Sequence, residues 1–319
     1  MSQDPPPSHL PTFQPSAVLL GVDVGGSRTR VAVAREPGSI LGRAEGPGAP
    51  MRPSGAARTT AVIADAAHRA AAEAGLSLPA DAAVVGAAGA GSADEQGQLA
   101  AAVLAAGLAR RVRVLPDAEV ALAAAFGRAP GILLNAGTGT IAFARDPSGA
   151  LHRCGGYGWQ MGDEGSGYWL GRRALQASGR AYDGREEGST LPSRLMGALG
   201  LGVFDDLVRW SVAATPAQVA ALAPQLLSAA RDGEPVARGA LAEAADELAA
   251  LVAVLERHFP GAGPVAVATT GSLLASDSPL ATAFAAVLVA RRGRARLLDL
   301  TVDAPLGAVA LAAELLADG

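Results

Sequence analysis

Short apolar runs alternate along the chain with longer segments in which apolar residues recur every three or four positions. The runs at 17–24 and 82–89 are typical of buried strands, and the alternating segment 29–34 predicts a strand that returns beside the first. The segments 59–75 and 93–107 have the helical period and end at glycine. Strands that alternate with helices predict a largely parallel sheet with helices on its faces.

The same pattern starts again in the second half of the chain. DVGGSRTRVAVA (23–34) and NAGTGTIAFA (135–144) both combine an apolar strand, a Gly/Ser/Thr turn and a returning strand. Residues 164–258 are mainly helical by period, and strand and helix patterns follow up to 306–317. The repeat predicts two similar domains, each of which opens with a phosphate-type hairpin.

Domain boundaries follow from these patterns. The Pro-rich, polar segment 1–16 predicts a disordered tail, and it lacks the basic and apolar regions of a signal peptide. We expect a first α/β domain at 17–122 and a second at 123–304, which contains the helical insertion. The final helix, 305–317, is expected to pack back on the first domain.

Composition narrows the possible functions. Half of the 319 residues are hydrophobic and 18% are charged, as in globular proteins. A net charge of −4 argues against a nucleic-acid partner, and the absence of a long apolar run argues against a membrane span. The single cysteine, Cys154, supports neither an internal disulfide nor a zinc cage, so a reducing cytoplasm is expected.

The chain contains no lysine, and all 26 of its basic residues are arginine. The absence of lysine excludes mechanisms that depend on the lysine of P-loop proteins, on the lysine of protein kinases or on a Schiff base with lysine. Any phosphate must therefore be bound by backbone amides, hydroxyl groups, arginines or a metal ion.

Two glycine-rich turns are candidates for that task. In GVDVGGSRT (21–29), Gly25 and Gly26 would let backbone amides approach an anion, and Asp23 could hold a hydrated Mg²⁺. An ordinary hairpin is the alternative for this turn. NAGTGT (135–140) repeats the arrangement, and the pair together predicts a clamp for a polyphosphate.

Asp117 and the segment TTGSLL (269–274) lie where a predicted strand gives way to a helix. Asp117 is either an N-cap or a carboxylate that accepts a proton from a substrate hydroxyl at the carboxyl edge of the sheet. TTGSLL is either an N-cap turn or a surface for an adenosine group.

The stretch GGYGWQMGDEGSGYWLG (155–171) combines glycines, aromatic rings and two carboxylates. We expect Tyr168 and Trp169 to pack in the core. A helix with an acidic first turn is expected from Glu164 onward.

DVGGSRT, LPDA, NAGTGT, GDEGSGYWLG and TTGS together make the resemblance specific. Over residues 17–317 the chain resembles the N-acetylglucosamine kinase-like members of the BadF/BadG/BcrA/BcrD ATPase family. The resemblance implies two ribonuclease-H-like (actin/hexokinase-type) α/β domains with an interdomain cleft. It also implies a homodimeric carbohydrate kinase that uses ATP and Mg²⁺ to phosphorylate an amino sugar, N-acetylglucosamine or a glucosamine-like hexose, at the 6-hydroxyl.

Residue roles are implied position by position. Asp117 matches the catalytic base, and Asp23 lies near the metal. The positions that match nucleotide-binding residues are Gly25, Gly26, Ser27, Thr29, Gly137, Thr138, Gly139, Gly271 and Ser272. The positions that match sugar-binding residues are Asp117, Thr140, Gly156, Tyr157, Gly158 and Asp163. The resemblance thus implies a sugar in this loop, with Tyr157 packed on its C–H face and carboxylates that accept hydrogen bonds from its hydroxyl groups. Tyr157 replaces a tryptophan that is common in the family, and the loop 47–54 lacks the asparagine found in N-acetylhexosamine kinases.

Two other functions are compatible with the family. One is an ATPase activator of a radical dehydratase, which needs two cysteines per subunit for a bridging cluster, whereas this chain has only Cys154. The other is a sugar sensor without catalysis, against which the retained Asp23, Asp117 and hydroxyl-bearing turns argue.

Overall fold

Two five-stranded sheets organise the chain in the computed structural model, which describes residues 17–186 and 188–317. The predicted tail, 1–16, lies outside the described residues. The chain divides into two compact units. The first unit runs to Arg128 and resumes at Val302, and the second spans Ala129–Thr301.

The first unit is a sheet of order β3-β2-β1-β4-β5 with helices. The strands β1, β4 and β5 are parallel, whereas β2 runs antiparallel to both β1 and β3. The elements are β1 (Leu19–Val24), β2 (Arg28–Glu36), β3 (Ser39–Pro47), α1 (Ala56–Glu73), β4 (Ala80–Ala87), α2 (Ala93–Ala105), β5 (Ala109–Pro116), α3 (Asp117–Phe126) and the C-terminal α11 (Ala304–Ala317).

Glycines let α11 lie close to this sheet. A Cβ on Gly21 of β1 would come within 2.3 Å of the carbonyl oxygen of Pro305, and one on Gly307 within 2.5 Å of that of Val120. The apolar side chains of α11, including Ala308 and Val309, are buried against β1, β4 and α3. The last helix therefore belongs to the core of the first unit.

The second unit has a sheet of order β10-β9-β6-β7-β8 and a large helical part. The strands β6, β9 and β10 are parallel, and β7 runs antiparallel to β6 and β8. The elements are β6 (Gly131–Ala136), β7 (Thr140–Arg145), β8 (Leu151–Gly155), α4 (Gly167–Tyr182), α5 (Leu191–Leu199), α6 (Phe204–Ala213), α7 (Pro216–Ala220), α8 (Ala223–Arg231), α9 (Pro235–Glu256), β9 (Val265–Thr270), α10 (Pro279–Ala290) and β10 (Ala295–Leu297).

The expected fold class, two α/β units of this type, is confirmed. Two strands differ from the sequence prediction. The apolar pattern of residues 294–300 indicates a strand, but these residues pair only over Ala295–Leu297, at the edge of their sheet. No apolar run marks Leu151–Gly155, yet it pairs with β7 as the opposite edge strand. In the described part of the chain, no helix has the length and apolar character needed to cross a membrane.

Candidate active site

Asp23 and Asp117 lie at the same edge of the first sheet. The parallel strands β1, β4 and β5 end there, with Asp23 paired to Gly86 and Gly86 paired to Leu115. Asp117 follows as the first residue of α3, while Pro116 occupies the N-cap position expected for Asp117. The Asp117 side chain instead accepts a hydrogen bond from the N–H of Ala118, at 2.9 Å.

Gly86 sets the position of Asp117, and the sequence analysis did not identify it. A Cβ on Gly86 would lie 2.7 Å from Cγ2 of Val120 and 3.4 Å from the Cα of Asp117. The first turn of α3 therefore rests directly on β4. The available signal was a lone glycine within a strand, which often marks the close approach of another backbone.

The electrostatic setting of Asp117 favours its protonated form. Burial raises the pKa of Asp117, and the negative charge of Asp23 raises it further. Asp23 itself accepts two hydrogen bonds from Arg30, the residue opposite it on β2, at 2.7 Å from Nη2 and 3.1 Å from Nε. A carboxyl group with a raised pKa at a sheet edge is the profile of a general base.

The first hairpin closes at the same edge. The N–H of Gly25 donates to the carbonyl of Arg28 at 2.9 Å, while Gly26 and Ser27 are exposed. Thr29 is fully buried, and its hydroxyl donates to the carbonyl of Pro47 at 2.9 Å. Ser27 and the backbone of the turn are thus open to a ligand, whereas the Thr29 hydroxyl fastens the turn to the next loop.

The second hairpin joins β6 to β7 through Gly137, Thr138 and Gly139. The first two N–H groups of α4 donate to it: Gly167 to the carbonyl of Gly137 at 2.8 Å, and Tyr168 to that of Thr138 at 3.2 Å. These carbonyls are thereby directed toward α4. Of these three turn residues, Thr138 is exposed and the two glycines are half-buried.

Asp163 connects this hairpin to residues 155–164, which we call the sugar loop after the role that the family resemblance implies. Its carboxylate accepts the N–H of Thr140 at 3.1 Å and lies 2.8 Å from the position of a Cβ on Gly139. Burial raises the pKa of Asp163, and the charge of Glu164 adds to this, while the Thr140 N–H opposes it. Its backbone is left-handed, with φ 63°, a conformation rare outside glycine but tolerated by aspartate.

The helix expected from Glu164 begins later, at Gly167. Ser166 is its N-cap and accepts the N–H of Trp169 at 3.1 Å, and no acidic residue lies in its first turn. Gly165, with φ 77°, departs from helical geometry before the cap. The expectation of an acidic first turn is therefore wrong, and Glu164 remains in the sugar loop.

Tyr157 is exposed in the sugar loop, with 62% of its surface accessible. The guanidinium of Arg153 lies 5.1 Å from its ring centroid and donates to the carbonyls of Gly155 and Gly156 at 3.0 and 3.1 Å. Gly156 and Gly158 both have positive φ, so the loop conformation depends on glycine.

The other aromatic residues divide between the loop and the core. Tyr168 is half-buried and packs against the exposed Trp159, with ring centroids 5.3 Å apart. Trp169 packs against the core of the second unit.

Gly271 and Ser272 lie beside the second hairpin. Gly271 has φ 94°, and a Cβ there would come within 2.2 Å of the carbonyl oxygen of Ala136, the residue before Gly137. Ser272 begins a single 3₁₀ turn, Ser272–Leu274, rather than the α-helix expected from the sequence. The strand pairing of β6 with β9 accounts for this proximity.

Each unit therefore gathers its own candidate residues at one sheet edge. In the first unit these are Asp23, Gly25, Gly26, Ser27, Thr29 and Asp117. In the second unit they are Gly137, Thr138, Gly139, Thr140, Gly156, Tyr157, Gly158, Asp163, Gly271 and Ser272. Among these residues, the buried Thr29 hydroxyl already donates to the carbonyl of Pro47.

A magnesium ion fits the carboxylates of the first unit. Among the described residues, no group of three or more metal-binding side chains forms a closed cage. Mg²⁺ is usually held by one or two carboxylates together with waters and substrate phosphates. The Oδ2 atom of Asp23 accepts hydrogen bonds from Arg30, so Asp23 would bind the ion through Oδ1. A cation there would reduce the repulsion between the carboxylates of Asp23 and Asp117.

Two α/β units, each with a glycine-rich hairpin where its strands end, form an actin/hexokinase-type fold. The chain belongs to the BadF/BadG/BcrA/BcrD ATPase family, whose model matches residues 20–312. This confirms the resemblance stated from the sequence.

Similar proteins add the class of reaction. The N-acetylmuramic acid/N-acetylglucosamine kinase of Clostridium acetobutylicum is 28% identical over 92% of this chain and 97% of its own length. A Chromobacterium violaceum structure, provisionally assigned as an N-acetylglucosamine kinase, has a TM-score of 0.77 and 31% identity over 92% of this chain and 98% of its own. The ROK hexokinase of Thermus thermophilus shares the fold, with a TM-score of 0.55 and 18% identity over 95% of this chain and all of its own. The prediction of an ATP-dependent carbohydrate kinase is confirmed at the level of the family and these relatives.

Proposed function

We propose that the protein transfers the γ-phosphoryl group of ATP to the 6-hydroxyl of an amino sugar, N-acetylglucosamine or a glucosamine-like hexose. The observation that carries this proposal is the position of Asp117, a half-buried carboxylate at the same end of the first sheet as Asp23. The kinase relatives support an amino sugar as the class of substrate.

Asp117 would accept the proton of the sugar hydroxyl as the phosphoryl group is transferred. Its helix-start position and the contact of α3 with Gly86 hold the carboxylate in one orientation. General-base catalysis of this kind is worth about 10²–10⁴-fold in rate. Positioning of the substrates and stabilisation of charge in the transition state would provide the rest of the rate acceleration, as is usual in phosphoryl transfer.

Backbone groups would carry the nucleotide. The turn at Gly25–Ser27 and the turn at Gly137–Gly139 present amides and the hydroxyls of Ser27 and Thr138. Gly271 and Ser272 lie beside the second turn and would contact the adenosine. Mg²⁺ near Asp23 would neutralise charge on the phosphates.

The sugar loop would hold the acceptor. Tyr157 presents an exposed ring for the C–H face of a sugar, and Asp163 presents a carboxylate for its hydroxyl groups. Thr140, Gly156 and Gly158 are the remaining residues of this loop and hairpin that we propose to contact the sugar. The homodimeric state and the cytoplasmic location expected from the sequence stay predictions.

An ADP-release assay tests the function directly. Purified protein with ATP and Mg²⁺ should release ADP in the presence of glucosamine, N-acetylglucosamine or N-acetylmuramic acid, and much less without sugar. Phosphorus–proton coupling in the NMR spectrum of the product would identify the phosphorylated hydroxyl, and a 6-deoxy sugar should be inert. ADP release that no sugar stimulates would refute the proposal.

A further inference from the structure

A small acidic cavity lies beside the second hairpin, within the second unit. Its volume is about 20 Å³, enough for one group the size of a water molecule. Its lining residues are Thr140, Gly155, Asp163, Glu164, Glu247 and Leu251. Glu247 and Leu251 come from α9, which carries them to the sugar loop.

The Thr140 hydroxyl is the feature that points to a ligand. Thr140 is 2% exposed, and its Oγ1 has no hydrogen-bond partner among the described residues. A buried hydroxyl without a partner costs about 1–3 kcal/mol, so such groups are rare unless something else satisfies them. The Thr140 N–H, in contrast, is already bonded to Asp163.

The charge of the lining is negative. Asp163, Glu164 and Glu247 each contribute a carboxyl group, and no basic side chain is among the residues that line the cavity in the described chain. The nearby Arg153 is directed to the carbonyls of Gly155 and Gly156.

A protonated primary amine matches this combination of size, charge and hydrogen bonding. An ammonium group has three donors and no acceptor, so carboxylates and a hydroxyl oxygen can satisfy all of its donors. A neutral sugar hydroxyl has one donor, and carboxylates cannot donate to its lone pairs. An acetamide is larger than one water molecule and would place its carbonyl oxygen against like charge.

We propose that this cavity binds the ammonium group of the sugar, so that the substrate class is the unacetylated amino sugars, with Glu164 and Glu247 as specificity-determining residues. This inference rests on the proposed function and selects between the two acceptors named there.

Glucose, glucosamine and N-acetylglucosamine provide the test, because they differ only in the substituent at carbon 2. We expect kcat/KM to be highest for glucosamine. In Glu247→Gln and Glu164→Gln the glucosamine-to-glucose ratio of kcat/KM should fall roughly fivefold to tenfold, as one charge at short range is removed. Asp246→Asn, which removes a charge from the same helix where it pairs with the exposed Arg291, should leave the ratio unchanged.

Calorimetric binding of the three sugars without nucleotide separates this inference from the proposed function. If no sugar stimulates ADP release, the kinase proposal fails, but glucosamine binding that weakens in Glu247→Gln would still support the cavity assignment. A ratio that is the same in Glu247→Gln and the parent protein would overturn the inference, as would tighter binding of N-acetylglucosamine than of glucosamine.

Discussion

Replacing Asp117 by asparagine should reduce turnover and increase stability at the same time. The substitution keeps the shape of the side chain and an oxygen that can accept the N–H of Ala118, but it removes the proposed base. We expect kcat to fall about 10²–10⁴-fold while ATP binding persists.

The stability gain follows from the buried charge. Burial and the charge of Asp23 raise the pKa of Asp117 in the folded protein, so the folded state binds more protons than the unfolded state between the two pKa values. The free energy of unfolding therefore falls as the pH rises through that window. Above that window the wild-type protein bears the full cost of the ionised carboxylate, and the asparagine variant does not.

The strand register gives the size of one part of this cost. Asp23 is two strands away from Leu115, and neighbouring strands lie about 4.8 Å apart, so the backbone of Leu115 is about 10 Å from that of Asp23. Asp117 lies two residues beyond Leu115, so about 10 Å serves as the scale of its separation from Asp23. At an effective dielectric constant of about 20, two like charges at that distance repel by roughly 1.7 kcal/mol. Arg30 offsets part of this repulsion, so the gain from removing it is less than about 1.7 kcal/mol.

Thermal unfolding at several pH values checks this gain. The difference between Asp117→Asn and wild type should be positive at pH 7 and shrink as the pH falls through the raised pKa. Asp94→Asn is a matched control, because Asp94 is an exposed acid in the first turn of α2, where a carboxylate is favourable. That control should keep normal turnover and gain no stability. Near-normal turnover of Asp117→Asn would exclude Asp117 as the base, and lower stability at pH 7 would contradict the electrostatic reasoning.

Three further substitutions test the positioning of the site. Asp163→Asn should raise the KM for the sugar at least about tenfold with a smaller change in the KM for ATP, because the neutral amide accepts a weaker hydrogen bond from the Thr140 N–H. Equal changes in the KM for sugar and the KM for ATP would contradict this role of Asp163. Gly86→Ala should lower the free energy of unfolding by about 1–3 kcal/mol and lower kcat, because a Cβ at this position displaces the first turn of α3. Chemical denaturation measures the stability and steady-state kinetics measure kcat. Wild-type values of the two would disprove the close contact between β4 and α3. Gly271→Ala should weaken ATP binding in calorimetry, because Gly271 has a φ of 94° and a Cβ there would clash with the carbonyl of Ala136. An unchanged affinity for ATP would argue against a role of Gly271 in nucleotide binding.

Local patterns were enough to predict the two hairpins and most of the elements around them. An apolar strand, a glycine-rich turn and a returning strand are neighbours in the sequence, so their pairing needs no distant information. The strand Leu151–Gly155 was missed because an edge strand exposes much of its surface, and LHRCG has no apolar run.

Other features depend on contacts between residues that are distant in sequence. The start of α4 at Gly167 is fixed partly by hydrogen bonds to Gly137 and Thr138, about thirty positions earlier, which no local propensity contains. The role of Gly86 requires knowing that α3 crosses β4 at that residue. Glu247 likewise reaches the sugar loop only because α9 packs beside it.

The two threonines that follow the hairpin turns show how a repeated unit can acquire different functions. Thr29 and Thr140 each pair with the last residue of the preceding strand, Val24 or Ala136, and both are buried. The Thr29 hydroxyl is satisfied by the carbonyl of Pro47, whereas the Thr140 hydroxyl has no partner in the described chain. An unsatisfied buried hydroxyl costs about 1–3 kcal/mol, which a ligand that bonds to it can recover. The energy recovered in this way should appear as tighter sugar binding. Thr140→Val should therefore reduce sugar affinity in calorimetry while thermal unfolding shows the ligand-free protein to be no less stable, and unchanged affinity would contradict this argument.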